Sequence, residues 1–89
     1  MSTDQRTSKE ITMYSAEWCG DCRRSKAFLD GHEVAYEYVD LEAHPEAAEI
    51  AQSIAGRKNI PVIVFKDGHH LVEPSDAILH AELKVRGII

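Results

Sequence analysis

Apolar residues fall in short blocks separated by polar punctuation, and the spacing inside each block predicts seven elements. Residues 1–9 follow the initial Met with Ser, Thr, Asp, Gln, Arg and Lys and show no apolar period. They read as a disordered N-terminal tail ahead of one domain over residues 10–89. Between Glu10 and Ser15, the run Ile11, Thr12, Met13 and Tyr14 fits a central strand covered on both faces. Next, Arg23, Arg24 and Lys26 stand beside Ala27, Phe28 and Leu29, so a first helix is expected from about Cys19 to Asp30. Gly31 is placed to stop it as a left-handed residue.

Val34 to Leu41 alternates only loosely, but its Val and Tyr residues favour a second strand. His44-Pro45 puts proline at a helix start, and Ala47, Ile50, Ala51 and Ile54 recur at helical spacing before Gly56 closes the element. Val62-Ile63-Val64-Phe65 is too β-branched and too short for a helix. Lys66-Asp67-Gly68 is a hairpin turn, and His69 to Val72 returns. Pro74-Ser75 signals an N-cap before a last helix carrying Ile78, Leu79, Leu83 and Val85.

The order β-α-β-α-β-β-α has a consequence. Strands joined by a helix should run parallel with a right-handed crossover, and the hairpin strands must be antiparallel. The expectation is an α/β fold, a four-stranded mixed sheet flanked by three helices on its two faces. With 89 residues the chain makes one small domain, and its hydrophobic share of 44% is ordinary for a globular protein. A net charge of −5 argues against nucleic acid as a partner, and no apolar run is long enough to span a membrane. A monomer in the cytoplasm is expected.

Chemistry concentrates in Ala16-Glu17-Trp18-Cys19-Gly20-Asp21-Cys22, which holds both cysteines of the chain. Two intervening residues bring the thiols within reach across one helical turn. A helix beginning at Cys19 aims free backbone N–H groups at its sulfur, which favours thiolate over thiol. Cys19 is therefore the expected nucleophile, and Cys22, one turn in and less exposed, the residue that resolves a mixed disulfide. Two other readings compete: half of a zinc site completed by some of the five histidines, and a structural disulfide. His69 and His70 would point to opposite faces of a strand, and a chain with no further cysteine and no secretory signal reads as intracellular.

The element order, the Cys-x-x-Cys at a strand-to-helix junction, and Gly56-Arg57-Lys58-Asn59-Ile60-Pro61 before a β-branched strand resemble the glutaredoxin branch of the thioredoxin superfamily. The match runs from about Ile11 to Val85. The resemblance implies a thioredoxin-like fold, a cis bond before Pro61, and a backbone at Ile60 that pairs with substrate. Ala16-Glu17-Trp18-Cys19-Gly20 is similar to the thioredoxin approach to its site. Against thioredoxin, Met13 stands where that family keeps a buried aspartate, and its extra N-terminal strand and helix are missing. Gly20 and Asp21 replace the usual proline and tyrosine of glutaredoxins. Val72-Glu73-Pro74 replaces their glycine pair, and Glu73-Pro74-Ser75 resembles mycoredoxins and the glutaredoxin-like electron donors of ribonucleotide reductase.

The resemblance implies a thiol–disulfide oxidoreductase with no bound cofactor or metal, using a low-molecular-weight thiol as co-substrate. Mycothiol is expected over glutathione, whose carboxylate Glu73 would repel. Disulfide-containing proteins are the expected partners, and a thiol or a flavin-dependent reductase the electron source. Asp76 matches an aspartate that contacts the thiol cofactor in glutaredoxins, although an acid in a first helical turn is favourable anyway. Arg57, with Arg23, Arg24 and Lys58, is expected near the cysteines, facing either an anionic substrate or plain solvent. Trp18 is expected at the rim, for partner contact or packing. The alternatives are an electron donor recycled by thioredoxin reductase, or a non-catalytic thioredoxin-fold binding or zinc module.

Overall fold

The computed structural model describes residues 10–89, so the tail expected over residues 1–9 lies outside the described residues. The elements follow the expected order: β1 (Ile11–Ser15), α1 (Gly20–Gly31), β2 (Glu37–Asp40), α2 (Glu46–Ala55), β3 (Val62–Phe65), β4 (His70–Val72) and α3 (Asp76–Val85). They form one four-stranded sheet in the order β2-β1-β3-β4, with β1 parallel to β2 and antiparallel to β3, and β4 antiparallel to β3. Among the described residues, no helix is long and apolar enough to cross a membrane.

Alternation along the two central strands separates the faces. Ile11 and Met13 pair with Phe65 and Ile63, and these side chains form one core cluster with Leu29 of α1 and Leu79 and Leu83 of α3. Both cysteines belong to that cluster. The alternate positions, Tyr14 and Val62 among them, turn to the other face, where α2 packs on the sheet through buried Ala47 and Ala51.

Local chemistry explains most boundaries. Ser75 caps α3 by accepting the Ile78 N–H at 3.2 Å. Pro45 precedes α2 with φ −58°, the value its ring enforces, and Gly56 ends that helix at φ 78°. In the hairpin turn, Asp67 Oδ1 accepts the His69 N–H at 3.0 Å.

Several expectations are corrected. Gly31 does not stop α1 in a left-handed conformation: it is the last helical residue, and the left-handed backbone falls on Glu33 at φ 57°. The Val34 N–H reaches Leu29 O at 2.9 Å and draws Val34 into the core, so the chain reverses two residues later than the glycine suggests. The second strand is shorter than Val34–Leu41, because β2 is an edge strand and pairs with β1 only from Glu37 to Asp40. Ile50, Ile78 and Val85 carry helical spacing, yet all three are exposed. The inward stripe of each helix is narrower than its apolar sequence, because α2 faces the sheet through alanines and α3 through Leu79 and Leu83.

Candidate active site

The chain leaves β1 at Ser15 and turns, with the Cys19 N–H donating to Ala16 O at 3.2 Å, before α1 begins. Cys19 is the N-cap of α1 rather than its first residue. It holds an extended backbone, and its Sγ accepts the Cys22 N–H at 3.2 Å. The sulfur thus occupies the place of a capping oxygen, at the positive end of the helix dipole. Cys22, one turn on, is 1% exposed against 9% for Cys19.

That difference in position separates the two thiols chemically. Burial, then the contact with Cys19, pushes the Cys22 thiol up to about 11, while the Ser15 hydroxyl and the Ala16 backbone pull the other way. Cys22 therefore keeps its proton at neutral pH. Cys19 is the more exposed of the two sulfurs.

A second segment closes over the first. The Ile60–Pro61 peptide bond is cis, as the resemblance implies, and Ile60 O lies 3.7 Å from Cys19 Sγ. Pro61 is buried, and Pro61 O accepts the Glu73 N–H at 2.9 Å, which ties the start of β3 to the end of β4. Glu73 has φ 49°, and its carboxylate accepts Asn59 Nδ2 at 3.1 Å. Beside Ile60 a cavity of about 230 Å³ opens between α2 and the approach to β3, lined by Leu41, Gln52, Arg57, Lys58 and Asn59 among others.

The basic residues divide. Arg24 is held by Asp21 at 2.8 Å, Pro74 O at 3.0 Å and Asp76 at 3.6 Å, and so bridges the starts of α1 and α3. Arg23 donates to Glu17 O at 2.8 Å. Arg57 and Lys58 are exposed on the cavity rim and form no ion pair among the described residues. Trp18 is 66% exposed beside Cys19. Among the described residues, no three His, Cys, Asp or Glu side chains gather as a metal ion would require.

The family model described as Glutaredoxin matches residues 11–71, a span that holds β1 through β3, the first two residues of β4 and both cysteines. The chain belongs to the glutaredoxin family. It is 38% identical over 79 residues to a protein of Mycobacterium tuberculosis named as a glutaredoxin, covering 86% of this chain and 94% of the relative. It is 32% identical over 75 residues to mycoredoxin 1 of Corynebacterium glutamicum, covering 83% of this chain and 92% of the relative. Among solved structures, the glutaredoxin of Archaeoglobus fulgidus shares the fold with a TM-score of 0.70 at 22% identity, covering 98% of this chain and 95% of the other. This glutaredoxin is a thiol–disulfide oxidoreductase of the mycoredoxin/NrdH branch of the thioredoxin superfamily. Glutaredoxins use a low-molecular-weight thiol as co-substrate.

The structure brings Trp18, Cys19, Ile60, Pro61 and Glu73 to one end of the sheet, with Arg57 at the edge of the adjoining cavity. Asp76 lies close by but is engaged by Arg24. Three features of these surroundings escaped the sequence reading: the bond from Asn59 to Glu73, the bridge made by Arg24, and buried Ser15. Asn59 and the bridging role of Arg24 had no signal in the sequence. Ser15 had one, since the alternation Ile11, Met13, Ser15 places a hydroxyl in an otherwise apolar inward register.

Proposed function

We propose that this glutaredoxin reduces protein disulfides, and mixed disulfides of a low-molecular-weight thiol, through a dithiol site in which Cys19 attacks and Cys22 resolves. The observation that carries this reading is the asymmetry of the pair, with Cys19 Sγ on the helix N-terminus and Cys22 buried and protonated beneath it. An extended partner would pair with the Ile60 backbone ahead of Pro61 and lie between Trp18 and Glu73. Arg57 would meet an anionic group in the cavity. Asp76 would contact the thiol co-substrate only after exchanging its pairing with Arg24.

For the co-substrate, the reading favours a mycothiol-type thiol over glutathione. Glu73 sets a carboxylate against Asn59, two residues ahead of Pro61, where it would repel the carboxylates of glutathione. Its left-handed backbone is one that glycine adopts without strain and glutamate does not. A costly residue at the mouth of a site fits a role in recognition. The similarity to mycoredoxin 1 supports the same choice. A monomer acting in the cytoplasm completes this reading.

A second reading has its own support. The Ala16-Glu17-Trp18-Cys19-Gly20 approach is thioredoxin-like, and the chain is 32% identical over 57 residues to the glutaredoxin-like protein NrdH of Lactococcus lactis. An electron donor recycled by a flavin-dependent thioredoxin reductase would follow.

Oxidised protein challenged separately with mycothiol, glutathione and thioredoxin reductase separates the readings. Fastest reduction by mycothiol is expected, and Glu73→Gly should improve use of glutathione severalfold without loss of thermal stability. Cys19→Ser should abolish turnover, while Cys22→Ser keeps reduction of small mixed disulfides. A protein reduced only by the reductase would favour the second reading. An active Cys19→Ser beside an inactive Cys22→Ser would reverse the roles of the cysteines. Bound zinc in place of two titratable thiols would point to a non-catalytic module.

A further inference from the structure

The turn that delivers the chain to Cys19 stands outside the core. It is closed by the Cys19 N–H on Ala16 O at 3.2 Å, with Glu17 and Trp18 at its two corners. Both corner residues are exposed, Trp18 to 66%, so apolar burial does little to fix them. Polar contacts from two other elements take hold of Glu17 instead. Arg23 of α1 donates from Nη1 to Glu17 O at 2.8 Å, and Tyr38 of β2 donates from its hydroxyl to Glu17 Oε2 at 3.2 Å. The arginine runs close along the turn, since a Cβ at Gly20 would lie 3.9 Å from its Nη2.

We propose that Arg23 and Tyr38 are positioning residues: by clamping Glu17 at its carbonyl and its carboxylate, they hold Trp18 as one wall of the groove that receives a protein disulfide. The proposal rests on the reading in which an extended partner lies between Trp18 and Glu73, and it names what keeps the first of those walls in place.

The clamp is itself anchored. Tyr38 is half-buried against the core cluster, and its register opposite Met13 fixes its height on the sheet. Lys26 of α1 sets its Nζ 5.8 Å from the centre of that ring and pairs with Asp30 at 3.0 Å, which also accepts the Tyr36 hydroxyl at 2.7 Å. Glu17 is thus tied to a chain of contacts along the seam between α1 and β2. The opposite wall is held by polar contacts too, with the Glu73 N–H on Pro61 O at 2.9 Å and its carboxylate on Asn59. A small disulfide needs access to Cys19 Sγ, whereas a protein partner must also fit between the walls. A wall ordered in advance spares the partner the cost of ordering it, so loss of the clamp weakens docking and leaves the chemical step intact.

Trp18 is the single tryptophan of the chain, so fluorescence anisotropy decay of the full-length protein reads the order of this wall. Tyr38→Phe and Glu17→Ala should each raise the amplitude of the fast decay about twofold, and the double variant should add nothing further, because both remove the same bond. Docking is read from the oxidation of reduced protein by excess insulin, taken as the protein disulfide. The half-saturating insulin concentration should rise about threefold in Tyr38→Phe and in Arg23→Gln at an unchanged limiting rate, the size of effect that one ordinary hydrogen bond supports. In Tyr38→Phe the rate of attack on 5,5′-dithiobis(2-nitrobenzoate) should stay within about twofold of the wild type. Trp18→Ala separates the two levels of the argument. A half-saturating concentration unchanged in Trp18→Ala overturns the groove reading, and the clamp with it. A rise in Trp18→Ala that neither Tyr38→Phe nor Arg23→Gln shares overturns the clamp alone. So does an anisotropy decay unchanged in Tyr38→Phe, or an attack on the small disulfide slowed as far as that on insulin.

Discussion

Cys19 and Cys22 are chemically identical and three positions apart, yet the fold gives them different surroundings. Cys19 caps a helix, and Cys22 sits at its first inward turn. The Cys22 thiol is pushed from its ordinary 9.0 to about 11, first by burial and then by the contact with Cys19. The folded protein thus binds the Cys22 proton where the unfolded chain has released it. Stability from this source is complete below pH 9 and is lost as pH rises through 11. Reduced protein should lose on the order of 2 kcal/mol between pH 8 and pH 11 relative to Cys22→Ala, whose profile lacks this step. Urea midpoints measured across that range for both proteins check the sign and the window.

Element ends are where single residues act on the site as a whole. Ser75 caps α3, and the turn it fixes carries Pro74 O and Asp76, the two groups of α3 and its approach that hold Arg24. The same arginine holds Asp21 of α1, so the starts of the two helices are linked through one guanidinium. Ser75→Ala should cost about 1 kcal/mol, and Ser75→Asp should be nearly neutral because aspartate caps as well as serine. Thermal melts of the three proteins test this directly. A loss in Ser75→Ala that Ser75→Asp fails to restore would show that packing, not capping, sets the role of this residue.

Across the whole molecule, Arg86 joins the two ends of the fold far from the cysteines. It pairs with Glu82 at 2.7 Å and Asp67 at 3.2 Å, approaches Glu10 at 3.8 Å, and stacks on the Phe65 ring at 3.9 Å. Its side chain is only 15% exposed, so these contacts are stronger than those of a solvated surface pair. They fasten the end of α3 to the β3–β4 hairpin and the start of β1. Arg86→Ala should destabilise by about 2 kcal/mol, a fall in Tm of ~10 °C for a domain of this size. The rate of attack by Cys19 should stay unchanged below the transition. A variant that melts normally would show that the network contributes nothing to the fold.

The sequence by itself determined the order of elements, the strand pairing that this order forces, and the place of Cys19 and Cys22 at a strand-to-helix junction. Each of these depends on local period, turn residues or chain connectivity, which are written along the chain. Helix ends with a single strong signal were legible too, as at Ser75 and Gly56, whereas Gly31 misled because the Val34 N–H bond to Leu29 O, a contact beyond the glycine, set the reversal. Only the tertiary structure decided which apolar residues stay outside, since Ile50, Ile78 and Val85 match the helical period but are left exposed. It also decided the partners of Arg24, 50 residues from Pro74 in sequence, and the approach of Ile60 O to Cys19 Sγ. Such contacts join residues distant along the chain, and they exist only once the sheet and its helices have closed.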